Sequence, residues 1–549
     1  MAKRKKEKSV QSYKFNQYLE IGSPDAETDR FLEQVFIEKE ALFALKDMSN
    51  QRSIIIGRTG SGKSALLKHI ELTEQKVVRI EPEAMSLRFL SNSTLLQYFN
   101  TIDVNLNFFY KILWKHVFII ELLRLHFSYD DKKKENWFYN IKEKFLKKHN
   151  PKREKALEYF DKWSNEFWID TEKRVKEMEQ MVKDRFEADL GVNISSLSFK
   201  ANSQTENEKR LKTEFKTKAE HIIVEVLAND IHDIVKIIQE EIFIDSQQKH
   251  FIIIDDLDKE WITTDIRYDL IGSMIEVIKE FQTFKGVKII ISLRDNLYQM
   301  VFSGTNHKGG QREKFKPLYV ELTWTREELR ELLNRRLYLV TNSHHDLKTA
   351  FENRNKRGTD GFSYMLERTF FRPRDVISFV NHAIENSNNK THFTLDVIKK
   401  AEIDYSIDRL IALEDEWGEN FGDIKQLFAF LNGKTDGFNV KNLKEENFAN
   451  ILLNEKPENS FRGELLVWVK KWQNSELKFS DFVKNVIHLL YIFGAVGIKR
   501  NTESPTQFVF DKGITIDRND IHDSSKVYVH KAFYSVLKIN TRALEPDRF

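Results

Sequence analysis

Five short apolar runs punctuate an otherwise polar and helical pattern. They are Ser53-Ile54-Ile55-Ile56, Val77-Val78-Arg79-Ile80, Phe251-Ile252-Ile253-Ile254, Val287-Lys288-Ile289-Ile290-Ile291-Ser292 and Leu318-Tyr319-Val320-Glu321-Leu322. Runs this short and this continuous predict strands covered on both faces, as in a parallel sheet. Helical spacing follows the first run over Ala65 to Leu72 and separates the third from the fourth over Ile266 to Phe284. Strands that alternate with helices in this way predict an α/β layer architecture.

Between the second and third runs, residues 83–245 read as helical. Val175, Met178 and Val182, then Leu211, Phe215, Ile222, Val226 and Ile234, keep a three-to-four spacing amid Lys and Glu. Val192 to Phe199 alternates loosely, which predicts a small hairpin. So long a connection is expected to form a self-packed helical insertion projecting from the sheet. Its most apolar stretch, Phe108 to Phe127, contains Lys111, Lys115, His116, Glu121 and Arg124, so it predicts a buried or amphipathic helix and not a bilayer span.

Beyond the last strand run, Thr325 to Leu339 and Arg374 to Ala383 predict helices. An Asn-rich connector over Asn386 to Lys390 comes before Thr394, which reads as the N-cap of a helix through Tyr405. Helical Leu465 to Trp472 and Phe482 to Ile492, strand candidates Gln507 to Phe510 and Lys526 to Val529, and helical Ala532 to Leu537 resemble a winged-helix unit. The expected organisation is an N-terminal segment 1–50 leading into the core, a core over 51–82 and 246–322, and an insertion over 83–245. A helical lid over 323–405 and a helical, winged-helix-like end over 406–549 complete it. No fixed-period repeat supports a solenoid.

Composition narrows the possibilities. With 87 Lys+Arg against 84 Asp+Glu, the net charge of +3 does not favour a polyanion-coating protein. There is no cysteine, which excludes disulfides, thiolate metal sites and a cysteine nucleophile and fits a cytoplasmic location. The basic start, Lys3-Arg4-Lys5-Lys6, runs into polar residues and not into an apolar signal segment. The chain has 20 glycines, and three of them, Gly57, Gly60 and Gly62, fall within six consecutive positions.

Those glycines belong to Gly57-Arg58-Thr59-Gly60-Ser61-Gly62-Lys63-Ser64, a GxxxxGK[ST] phosphate-binding loop between a buried strand and a helix that opens at Ala65. Glycine lets successive backbone N–H groups turn toward phosphate oxygens, and the helix N-terminus adds its own donors. Lys63 is placed for the β- and γ-phosphates and the Ser64 hydroxyl for Mg²⁺. Gly60-x-Gly62-x-x-Ala65 also fits a dinucleotide fingerprint, with Glu81 near the ribose offset, but that reading does not require Lys63, Ser64 or an acidic strand end.

The acidic strand end is Asp255-Asp256-Leu257-Asp258. Carboxylates at the carboxyl edge of a parallel sheet are where ligands bind. Asp255 is expected to hold Mg²⁺ and Asp256 to orient or activate the attacking water, with Asp258 a third candidate or a turn residue. Adenine is the expected base, because Asn389-Lys390-Thr391-His392 lacks the Asp of a guanine-reading motif. Arg294, after the fourth strand, and Arg374, at a helix start, are candidate phosphate sensors.

Together with Asp255-Asp256-Leu257-Asp258-Lys259-Glu260-Trp261, Ser292-Leu293-Arg294-Asp295 and Arg372-Pro373-Arg374-Asp375-Val376, the loop resembles soluble bacterial P-loop ATPases of the STAND type. It is close to FunZ-like proteins and similar to the KAP family. The resemblance covers the core well, the C-terminal unit loosely and the insertion poorly. It implies an α/β P-loop NTPase with an ASCE-type sheet that uses ATP and Mg²⁺ as a conformational switch or assembly ATPase with protein partners or copies of itself. Such proteins are associated with mobile elements and antiphage defence. His530 matches a phosphate-sensing histidine of such switches, or else an ordinary cap. Two other readings are a DNA-binding initiator or loader ATPase and a nucleotide-binding scaffold with negligible turnover. Residues 441–549 carry 17 basic and 14 acidic side chains, and Phe482 to Ile492 offers only Lys484, Asn485 and His488, so nucleic acid is the less favoured partner.

Overall fold

The computed structural model describes residues 13–83, 90, 92–128, 151–163, 167–191, 206–259, 261–303, 311–351, 360–501, 503–511 and 516–541. The hairpin expected over Val192 to Phe199 lies outside the described residues. Two compact units are formed, one from residues 38–323 and the other from residues 1–37 together with 324–549.

The apolar runs become five parallel strands: β1 Ile54–Ile56, β2 Val77–Ile80, β3 His250–Ile254, β4 Val287–Leu293 and β5 Tyr319–Glu321. Their spatial order is β2-β3-β4-β1-β5. Register is set by pairs such as Ile56 with Leu293, Ile254 with Ile291 and Ile80 with Ile254. Because every strand points the same way, the residues after β1, β3 and β4 emerge on one carboxyl edge. Since β4 lies between β1 and β3, Arg294 stands between the glycine loop and the acidic turn.

Helix α1 (Glu40–Lys46) precedes β1, α2 (Lys63–Thr73) follows it, α3 spans Asn107–Phe127 and α4 spans Pro151–Trp163. Helices α5 (Phe167–Leu190) and α6 (Glu206–Ile237) follow, then α7 (Thr264–Phe281) between β3 and β4, and α8 (Asp295–Ser303). The insertion does not project as a separate body. Helix α3, apolar nearly all round, packs on α7 and against β2 and β3, and the helices of 83–245 share one hydrophobic core with the sheet. The physical reason is visible at the α3–α7 seam. The Trp114 indole donates to the Leu270 carbonyl at 2.9 Å, Lys115 pairs with Glu280 at 2.6 Å and Lys111 pairs with Glu276. Among the described residues no helix is long and apolar enough to cross a membrane.

In the other unit, α9 (Arg326–Val340) opens with a capping box between Thr325 and Glu328. Helix α10 spans Pro373–Glu385 and α11 spans Leu395–Phe421. Thr394 is the N-cap residue of α11, with extended backbone and no side-chain cap bond. The helix does not stop at Tyr405 but runs to Gly422, whose φ of +84° turns the chain away. The expected boundary at 405/406 therefore falls inside a helix. Ser406 ties that helix to the chain's end, donating to Ala532 O at 2.7 Å and accepting from Val536 N at 3.2 Å. The lid and C-terminal residues share a single core.

The segment expected to lead into the sheet is also divided. Residues 13–37 join the second unit: Phe15 exchanges backbone bonds with Asn389 and Lys390, and the buried Arg336 pairs with Asp29 and donates to Ile21 O.

The C-terminal residues add α12 (Gly463–Gln473), α13 (Phe479–Ile492) and an antiparallel sheet of order β6-β8-β7, with β6 Gly437–Asn439, β7 Val496–Lys499 and β8 Lys526–Val529. The other expected strand, Gln507 to Phe510, is not one; within it Gln507 alone forms a bridge, to Ile498. The Phe508 ring packs over Gly497, where an added Cβ would approach it to 2.8 Å. Past Val529 the expected helix is a short 3₁₀ turn, Lys531–Phe533. Eight residues of α13 are buried, Asn485 among them, so this helix is core.

Candidate functional site

The glycine loop follows from β1 being buried and α2 starting abruptly. Gly60 and Gly62 have φ of +77° and +93°, in the left-handed region where a side chain is strained, and Gly62 is the N-cap of α2. Gly57 is required for space: a Cβ there would meet Ser61 Oγ at 2.7 Å. Its N–H donates to Leu293 O at 3.2 Å, fastening the loop to the end of β4.

Lys63, the first residue of α2, is only 9% exposed. Its ammonium donates to Gly57 O at 2.8 Å and Arg58 O at 3.1 Å, so it lies within the curl of the loop. Burial pushes its pKa from 10.5 down to about 8. The charges of Asp295, Asp255 and Asp258 oppose that effect, and Arg294 adds to it. Lys63, Arg294, Asp255 and Asp258 thus share one electrostatic neighbourhood, with Asp295 an acidic member that the pattern of residues did not single out. Ser64 and Ala65 continue α2.

Asp255 leaves β3 almost fully buried, at 4% exposure. A buried carboxylate needs partners. Ser292 Oγ donates to Asp255 Oδ1, and Arg79 Nη2 lies 3.4 Å from Oδ2. Both partners come from the strands flanking β3, and sequence reasoning gave neither a role. The available signal was a polar residue inside each apolar run.

The next residue, Asp256, turns the chain off the strand with φ +57°, which Asp tolerates better than most side chains. Its carboxylate is partly exposed and pairs with Lys259 Nζ at 3.1 Å. Asp258 pairs with Arg294 Nη2 at 2.6 Å, and burial raises its carboxyl against the lowering effect of Arg294. The turn is braced from α7, where Arg267 Nη1 donates to Asp258 O at 3.1 Å and Lys259 O at 3.0 Å, and from the turn itself, where the Trp261 indole donates to Leu257 O at 3.0 Å.

Arg374 belongs to the other unit, where its Nε donates to Pro24 O at 3.3 Å. Its motif neighbours have a different task. Arg372 holds Asp375 through two bonds of 2.7 and 3.0 Å, and Arg409 reaches the same carboxylate at 3.3 Å, all three being buried. Arg372 and Asp375 are thereby core residues, and Arg374 alone of the motif's charged groups is partly exposed. His530 is a buried cap: Nδ1 accepts from Ala532 N at 3.1 Å, and its ring packs on Phe370 and Phe508.

Comparison with known proteins gives three findings. Residues 327–414 match the FunZ-associated C-terminal helical domain, which covers α9, α10 and most of α11. Over 547 residues the chain is 23% identical to the putative transposon gamma-delta 80.3 kDa protein of Escherichia coli (strain K12), spanning 96% of this chain and 68% of that protein. Among solved structures, a Walker-type ATPase of Pyrococcus abyssi aligns over 92% of this chain and 97% of its own at 11% identity, with a TM-score of 0.34.

Proposed function

We propose that the chain binds ATP with Mg²⁺ and hydrolyses it, working as a conformational switch or assembly ATPase with protein partners or with copies of itself. The observation that carries this reading is the placement of Lys63 within a glycine loop at the same sheet edge as the buried Asp255 and the partly buried Arg294. Backbone N–H groups of residues 57–65 would surround the phosphates, and Lys63 would exchange its two carbonyl partners for phosphate oxygens. The Ser64 hydroxyl and the Asp255 carboxylate are hard oxygen donors of the kind Mg²⁺ selects. Among the described residues no cluster of three or more acidic or His side chains is set to hold a metal. When bound, the ion supplies neutralisation of phosphate charge.

In this reading Asp256 is the base or water-orienting group, and Arg294 supplies positive charge beside the phosphates. Arg374, partly exposed at the start of α10, is assigned a sensing role when the second unit responds to nucleotide. The burial of α13 speaks against a DNA-reading helix there.

The test is Mg²⁺-dependent ATP hydrolysis by the full chain. Lys63→Ala is expected to abolish it, and Asp256→Asn to slow single-turnover hydrolysis by roughly a hundredfold or more. Equal turnover by either variant overturns the assignment. DNA affinity falling steeply with salt would instead favour the initiator reading.

A further inference from the structure

We propose that Asp258 is a positioning residue that aims Arg294 at the phosphate-binding edge. The proposal rests on the ATPase reading above and deepens it. Arg294 sits at the junction of β4 and α8 on a long side chain with many rotamers, and a cation that must meet developing phosphate charge gains from being fixed beforehand. Asp258 fixes it through a charge-assisted contact of 2.6 Å between Oδ2 and Nη2. One nitrogen of the planar guanidinium fork is engaged this way, and the fork carries further N–H donors.

The anchor is itself held. Arg267, nearly buried on α7, donates to the carbonyls of Asp258 and Lys259, and the buried Trp261 holds Leu257 O. These three contacts hold the backbone of the turn without using the Asp258 carboxylate, which can therefore pair with Arg294. Besides a local bond to its own backbone N–H, the Asp258 carboxylate reaches across to the residue that ends β4, which closing a turn alone would not require. Burial opposes ionisation of Asp258 and Arg294 favours it, so the charge on this carboxylate is tied to the presence of its partner. The spacing of Asp258 from Asp255 places it past the strand end, where it reaches the neighbouring strand's terminus without occupying the position of Asp255.

A double-mutant cycle on the full chain tests this, using Asp258→Asn, Arg294→Ala and the pair together. Each single variant is expected to lower kcat by roughly tenfold or more, with MgADP affinity changed by less than about twofold. The double variant should be no slower than Arg294→Ala by more than about twofold, because an anchor without its arginine has nothing left to aim. Preference for a non-hydrolysable ATP analogue over ADP, measured by equilibrium binding, should fall in both single variants alike. Asp258→Glu, which keeps the charge, should recover part of kcat and keeps the test open if Asp258→Asn melts early. Losses that multiply in the double variant, or equal kcat in Asp258→Asn and the parent, overturn the positioning role while Lys63-dependent turnover stands. Hydrolysis indifferent to Lys63→Ala overturns the ATPase reading and this proposal together.

Discussion

Replacing Lys63 by Met is expected to change how stability depends on pH, with a sign set by the burial of its ammonium. Burial holds the Lys63 pKa at about 8 in the folded chain against an ordinary value of 10.5. Between those two values the unfolded chain binds more protons than the folded one, so the parent gains stability as pH rises from about 8 to 10.5. Below that window the folded state carries the full cost of a desolvated ammonium, about 3 kcal/mol at about 1.4 kcal/mol per pH unit. Met removes the charge and keeps most of the side-chain volume, while the carbonyls of Gly57 and Arg58 lose a donor. That loss does not change with pH, so it cancels from the comparison that matters. Relative to Lys63→Met, the parent should gain about 2.5 kcal/mol between pH 7 and pH 10. Lys288, also pushed down to about 8 by burial, titrates in both proteins and drops out. Urea unfolding of both chains in nucleotide-free buffer at pH 7, 8, 9 and 10 provides the measurement, read as midpoints at unchanged m. Parallel pH profiles would show that the ammonium is not desolvated in the folded loop and would refute the placement of Lys63.

Three further outcomes follow from contacts elsewhere. Ser292→Ala removes the hydroxyl that donates to Asp255 Oδ1 and should weaken the Mg²⁺ dependence of nucleotide binding by about 10- to 100-fold; an unchanged Mg²⁺ titration would refute a supporting role. Asp375→Asn should destabilise the chain by about 3–5 kcal/mol, because Arg372 and Arg409 lose their buried counter-charge; Arg374→Ala should stay within about 1 kcal/mol in the same thermal or urea assay. Gly22→Ala should cost at least about 1–3 kcal/mol and speed proteolysis of residues 13–37, since Gly22 has φ +135° and an added Cβ would meet Arg336 Nη1 at 2.0 Å.

The sheet was legible because its strands are short, apolar and parallel. Runs such as Phe251 to Ile254 leave little else to be, and a parallel arrangement brings their carboxyl ends to one edge without further information. The glycine loop was legible for a related reason: Gly60 and Gly62 occupy backbone conformations that few other residues accept. The destination of α3 was not. Its apolar circumference says that it is buried but not against what. The answer, α7, lies beyond the whole insertion and is settled by contacts such as Trp114 with Leu270 and Lys115 with Glu280. The end of α11 was misplaced because Tyr405 is followed by no glycine or proline before Gly418, so nothing local marks a boundary there.

Charged residues inside apolar patterns show where such long-range information is concealed. A buried charge requires a partner, so its presence in a sequence announces a contact before the fold reveals which one. Asp255 announced one, and strand order supplied Ser292 and Arg79 from the two neighbouring strands. Asp375 announced another, met locally by Arg372 and from α11 by Arg409, so the residues on either side of the candidate sensor Arg374 are core. Arg336 announced a third, answered by Asp29 far earlier in the chain, and the pair ties residues 13–37 into the unit that contains α9. In each case the partner depends on topology, not on spacing. The residues free to act on a ligand are therefore distinguished from their motif neighbours only when the buried charges have been matched. Asp258 passes through that filter differently: its counter-charge, Arg294, is itself a candidate for phosphate, so the pair joins the structural requirement for neutralisation to the chemistry of the edge.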